Sequence, residues 1–294
     1  MSFRLVALLP LLCCTLLNTT SAQEQLRWKF RSGDHLEYTV VQNMNTSMKF
    51  GEQEVNSKFN QTIDMSWDIQ SVAASGDTVL NQIFNRVRLQ MVGGPAGEIE
   101  FDTATKEAPT NPIVKQLGTV FGNIVGQKFQ VTMKPTGQVD NVTVPEQLLE
   151  AVRQSEAGKQ GALTESMLKD MMKQSAVMLP TQPVGPGSKW KSEQEVQMPF
   201  GTMTIVSSMN FVQKDANGNA VIDFVPTVNI SPRDGAPTKM SLDESNGRGR
   251  IIFDIARGRV VQTQLDLTLK MTVEQSGQKL PQTIRNVTSM TLAQ

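Results

Sequence analysis

The side chains that could carry chemistry in this chain are few. His35 is the only histidine, and the two cysteines, Cys13 and Cys14, lie near the start. A Ser–His–Asp or Cys–His relay and a typical zinc site therefore lack material in the rest of the chain. His35 stands beside the Gly33-Asp34 turn at a strand start and reads as a surface residue, not a general base. Acid–base work would fall to a pair of carboxylates, and the pattern singles out Asp102 and Asp254. Each closes a Gly-x-Ile-x-Phe-Asp segment, Gly97–Asp102 and Gly249–Asp254. Two facing carboxylates are what glycoside hydrolysis needs; the simpler reading is a turn or strand-edge residue in each segment.

Other polar clusters have equally plain readings. Asp215, Asn217, Asn219 and Asp223 are spaced somewhat like a calcium loop, but Gly218 is fourth, not sixth, and Pro226 stands where a Glu is required. A hairpin turn accounts for them. Arg248, Arg250, Arg257 and Arg259 crowd one hairpin, where they could hold a phosphate or lipid headgroup or simply sit at solvated strand ends. Asn45, Asn60, Asn141, Asn229 and Asn286 begin Asn-x-Ser/Thr triplets, acceptors only in a glycosylating pathway. The spacing of Gly118, Gly122 and Gly126 suggests a helix packed closely on its neighbour.

The methionines are more suggestive. There are 16. Met167, Met171, Met172 and Met178 fall on one stripe of a helix expected over Thr164–Met178, and Met65, Met203, Met209 and Met271 dot strand faces. Methionine fills irregular cores, and it also adapts to loosely shaped apolar contents. These four helical methionines are the candidate ligand-facing residues. No catalytic, cofactor-binding or metal-binding residues are assigned, and no cofactor is implied.

The elements that must position these residues are mostly strands. Leu36–Phe50, about Lys58–Val72, Val79–Met91 and the shorter Gly97–Asp102 alternate apolar and polar residues with period two. The period changes after Asn111-Pro112, a cap followed by proline at the first helical position, and Ile113, Leu117, Val120, Phe121 and Ile124 recur at helical spacing. Strand period returns at Phe129–Met133 and Val139–Val144. A second helix begins at Pro145 and a third at Thr164. Pro180, Pro183, Gly185, Pro186 and Gly187 then end the helical section. Strands resume from Trp190, and Ser231–Asn246 reads as a loop. The hairpin Gly249–Val273 follows, with a three-residue turn Ala256-Arg257-Gly258 that would pair Phe253 with Val261. Gly33 before Leu36 and Gly187 before Trp190, together with the two Gly-x-Ile-x-Phe-Asp segments, suggest that the halves are copies of one unit.

Residues 1–22 read as a cleaved export signal: Arg4, the apolar run Leu5–Leu17, then Thr20-Ser21-Ala22. Leu11 and Leu12 precede the cysteines where a lipidated protein needs small residues, so no lipid anchor is assigned. The mature chain would carry 27 basic against 28 acidic groups, which argues against nucleic acid. No later apolar run is long enough to span a bilayer. The expected organisation is a β-rich N-terminal half at 23–144 with a helix near 112–125, a helical segment and Pro/Gly linker at 145–187, and a β-rich C-terminal half at 188–294.

With its leader, Trp28-Lys29-Phe30, Gly33-Asp34 and the Gly249–Asp254 hairpin, the chain resembles a domain-of-unknown-function family of exported bacterial β-rich proteins. That resemblance transfers no activity and no site residue. More distantly, long antiparallel strands plus helices are similar in architecture to periplasmic lipoprotein and lipid carriers with half-open barrels, which implies a fold and not a role.

The sequence thus predicts an α+β, β-dominated protein: large curved antiparallel sheets from two related halves, with about three helices from the middle of the chain packed on an apolar face. The leading function is a non-catalytic exported protein, periplasmic or extracellular, that binds an apolar or amphipathic small ligand or lipid between sheet and helices. A structural or protein-interaction module of the cell envelope is the alternative, and a paired-carboxylate hydrolase is the third.

Overall fold

Period-two alternation extends further along the chain than the sequence suggests, and the strands are correspondingly long. The computed structural model describes residues 23–93, 97–106, 111–154, 164–173, 176–198, 201–233, 238–275 and 277–293. The expected leader at 1–22, with Cys13 and Cys14, and the Gly158–Gly161 break lie outside the described residues. The first half contributes β1 (His35–Phe50), β2 (Gln53–Val72), β3 (Thr78–Gly93), β4 (Ile99–Asp102), β5 (Lys128–Met133) and β6 (Val139–Thr143). The second contributes β7 (Lys189–Met198), β8 (Gly201–Lys214), β9 (Ala220–Pro232), β10 (Thr238–Asp254), β11 (Arg259–Gln275) and β12 (Gln278–Leu292). Between them lie α1 (Pro112–Ile124), α2 (Glu146–Gln154) and α3 (Glu165–Lys173). The expected β-dominated α+β class, with three helices from the middle of the chain, is what the structure shows among the described residues.

All twelve strands join one antiparallel sheet in the order β6-β5-β3-β2-β1-β12-β11-β10-β9-β8-β7, with β4 beside β3. The halves meet at β1 and β12, in register from Tyr38 opposite Leu292 to Met48 opposite Gln282. The sheet cannot be flat. Ten strand spacings separate edge strands β6 and β7, roughly 48 Å if laid out, whereas a helix is only about 10–12 Å across. Yet α3 packs against both β6 and β7. The sheet therefore curls until its two edges come near one helix.

The segment before β1 fixes the curl at one end. Trp28 N donates to Pro135 O (2.8 Å) in the β5–β6 turn, and Lys29 N donates to Gly258 O (2.9 Å) in the β10–β11 turn. Glu24 and Val184 exchange backbone hydrogen bonds, and Arg27 donates to Pro180 O and Thr181 O. Under this cover Trp28, Phe30, Trp67, Tyr38 and Phe253 form a connected aromatic cluster with ring centroids 5.3–6.4 Å apart. One continuous core joins it to Leu148, Leu149 and Val152 of α2, to Leu168 and Met172 of α3, and to the inward faces of β3, β5 and β6.

Several local expectations change. The β10–β11 turn has four residues, because Asp254 pairs with Arg259 and Phe253 with Val260; one residue of β11 is bulged between Val260 and Gln262. Val260, not Val261, is then fully buried. The expected loop Ser231–Asn246 is largely strand: β9 runs to Pro232 and β10 begins at Thr238. A bulge between Leu242 and Glu244 shifts the side-chain parity there and hides the strand from a period-two reading. The third helix ends at Lys173 as described, and Ala176–Pro180 run as a non-helical strap. The glycines of α1 are not a packing seam. The nearest atom to a side chain added at Gly118 is a Phe101 ring carbon at 3.8 Å, Gly122 faces open space, and Gly126 has a positive φ just past the helix end.

Candidate functional site

A pocket of about 360 Å³ lies against the concave face, at the lower end of the roughly 300–1,000 Å³ typical of ligand sites. Its wall is built by parity. Val40 on β1 faces Met290 on β12, which faces Thr263 on β11, which faces Ile251 on β10, and all four line the pocket. Thr288 and Leu265 form the next rung, also in the lining. Met65 lies on one flank, and Phe224, Met209, Ser207, Ser192 and Gln194 continue round the other. The strap Ala176-Val177-Met178 forms the cover. It is anchored where Val177 O accepts from Trp28 Nε1 (3.0 Å) and where Leu179 N donates to Thr136 O (2.8 Å).

The lining is apolar with an uncharged polar stretch. No Lys, Arg, Asp or Glu lines the pocket among the described residues. Ser192 and Ser207 are cross-strand partners, and Gln194 follows on the same face of β7. Phe224 lies beside Gly249, where any side chain would strike its ring; Gly249 thus permits the ring to come close to the backbone of β10.

Of the candidate methionines, Met178 lines the pocket, but from the strap and not from a helix. Met172 is buried in the core under α3. The side chains of Met167 and Met171 lie outside what the structure describes. Met65, Met209 and Met290 join Met178 around the pocket. The period-two pattern puts Met65 and Met209 on strand faces without marking them as a site. Ser192, Gln194 and Ser207 were missed. The available signal was a polar residue at an inward position, in phase with Trp190 and Met209.

The polar clusters resolve into structural pairs. Asp102 accepts two bonds from Arg86, 2.9 and 2.5 Å, and that pairing holds its carboxyl down at about 2. Asp254 accepts from Arg257 N at a turn. The strands β3, beside Asp102, and β10, bearing Asp254, are five spacings apart, roughly 24 Å along the sheet; the structure does not bring the two carboxylates together. Arg250 forks onto Asp223 (2.7 and 3.1 Å), Arg257 lies 3.8 Å from Asp254, and Arg259 lies 3.7 Å from Asp34. Arg248 is opposite Asp266 across the strands. These arginines are distributed among carboxylates and form no phosphate cradle. Asp215 accepts from Asn217 N and Asn219 N, closing a turn. His35 is exposed, with Nδ1 2.6 Å from Asp68 and Nε2 3.3 Å from Glu37; those bonds raise its pKa, Asp68 foremost. Among the described residues, no group of three or more His, Cys, Asp or Glu could hold a metal ion, and no helix is long and apolar enough to cross a membrane.

A family model, that of the family of unknown function DUF6263, matches residues 75–260. No curated protein matches the sequence. A solved structure of lipovitellin, concerned with lipid–protein interactions in that protein, is similar with a TM-score of 0.53 at 10% identity, over 90% of this chain and 26% of that one. The chain thus spans about a quarter of the length of the lipovitellin chain, and the likeness is one of fold.

Proposed function

We propose that this chain, which belongs to the DUF6263 family, is an exported, non-catalytic binding protein that holds an apolar or amphipathic ligand inside its curled sheet. The observation that carries the reading is the pocket beneath the Ala176–Met178 strap, walled by Val40, Met65, Met209, Ile251, Leu265 and Met290. A well-packed interior would have closed this volume with its own side chains. Instead Val40, Leu265 and Met178 remain half-buried at its edge. Each methylene moved from water onto such a surface contributes about 0.8 kcal/mol, so about ten of them supply on the order of 8 kcal/mol before ordering costs. The thioethers of Met65, Met178, Met209 and Met290 let the wall adjust to contents of uneven shape. The lipovitellin likeness supports the idea that such a sheet can serve lipid. Export rests on the leader pattern at 1–22.

Native mass spectrometry of gently purified protein tests the reading. Adduct masses corresponding to lipids or other apolar molecules, lost on organic extraction, are expected. Homogeneous ligand-free protein that also takes up no apolar probe would end it.

A further inference from the structure

Resting on that binding role, we propose that the ligand carries an uncharged polar head, a hydroxyl, ester or amide, seated on Ser192, Gln194 and Ser207. Its apolar tail would run under the strap. Strand β7 sorts its side chains by parity: Lys191, Glu193 and Glu195 are exposed on the outer face, while Ser192 and Gln194 turn inward and are half-buried. Ser207 is the direct cross-strand partner of Ser192. Cross-strand neighbours stand about 5 Å apart at Cβ, so both hydroxyls can address one ligand oxygen. None of the three side chains has a hydrogen-bond partner among the described residues. Donors and acceptors without a partner are thus clustered on one wall of a mostly apolar pocket, with the hydroxyls of Thr263 and Thr288 on the β11–β12 wall.

The same wall disfavours an ionised head. A carboxylate or phosphate loses water on entry and requires a cation or several converging N–H groups in return. The described lining offers hydroxyls and one amide and no cation. A neutral head loses far less hydration and recovers it through Ser192, Gln194 and Ser207. The amide of Gln194 both donates and accepts, which suits an ester or alcohol and gives no preference for an anion.

Displacement of the neutral fluorophore 1-N-phenylnaphthylamine from the full chain at pH 8 tests this, with monopalmitin and palmitate as competitors of equal chain length. Monopalmitin should displace the probe at a concentration at least about tenfold lower than palmitate. In the Ser192→Ala/Ser207→Ala double variant, checked for an unchanged melting curve, that ratio should shrink several-fold. Palmitate competing as well as or better than monopalmitin overturns the neutral-head inference and leaves the binding role standing. So does a ratio unaltered by the double variant, which removes these serines as the seat. A wild-type protein that takes up no fluorophore and no lipid refutes the binding role itself.

Discussion

Two stretches of the same concave face, one turn of pleat apart, have opposite fates. At the end near the β10–β11 turn, Leu36, Tyr38, Trp67 and Phe253 are at most 3% exposed. Two residues along, Val40 is only half-buried, and beyond it Gln42 and Thr288 are half-buried polar residues. Both stretches belong to the same strands, with the same alternation and continuous register. The difference is cover. Leu26–Phe30 and the segment from Ala176 to Val184 lie over the first stretch, while over the second, among the described residues, only Ala176–Met178 reach the pocket. Alternation decides which way a side chain points; what lies above it decides whether that direction is dry.

Removing the cover should have the largest effect. Trp28→Ala takes a nearly buried ring out of the aromatic cluster and orphans Val177 O; a loss of about 3–5 kcal/mol in urea unfolding is expected. Next is Gly137→Ala. Gly137 has φ +86, and a β-carbon there would overlap Val177 O and lie 2.8 Å from Trp28 Nε1. It should cost about 2–3 kcal/mol by the same measurement and loosen the strap where it is tied. Leu265→Trp acts on the other stretch. Filling the pocket should weaken fluorophore uptake by about tenfold or more while stability stays within about 1 kcal/mol. Undiminished uptake would place the binding volume elsewhere.

Two substitutions on the convex face should leave the pocket alone and register only as pH effects. The folded pKa of Asp102, depressed to about 2 by Arg86, means its contribution is present above the ordinary carboxylate value and is lost as pH falls toward 2. The urea-midpoint gap between wild type and Asp102→Asn should close over that acid range. For His35 the sign is opposite. Its folded pKa is raised above 6.5, chiefly by Asp68, so its contribution is complete below 6.5 and fades as pH rises through the folded value. The smallest effect expected is a slight midpoint advantage over His35→Gln at pH 5.5 that vanishes by pH 9.

The direction of each side chain was legible in the sequence. Val40, Met65, Met209, Leu265 and Met290 were all assignable to inward faces by period two, and the structure puts them around one pocket. Bulges broke that legibility locally. The extra residue after Val260 and the irregularity at Leu242/Glu244 shift parity by one, so period two pairs Phe253 with Val261 instead of Val260 and reads the first half of β10 as a loop. The curl was not legible either, because it depends on contacts far apart in the chain: Trp28 to Val177, Lys29 to Gly258, and α3 to both sheet edges. Without it, Ser192 and Ser207 read as ordinary strand residues. Met178 lines the pocket from a non-helical strap, because helical spacing continues in the sequence past the point where the backbone has left the helix.

The seam between β1 and β12 has a kinetic consequence. It pairs Val40 with Met290, two pocket residues 250 positions apart. Closing a loop of that span is slow compared with zipping the hairpins on either side. During synthesis the pocket has no floor until β12 is made, and the first half must wait with the backbone edge of β1 unpaired. Such an edge invites pairing with another chain. The feature that closes the floor of the pocket is therefore also the one that leaves the unfinished chain most in need of protection.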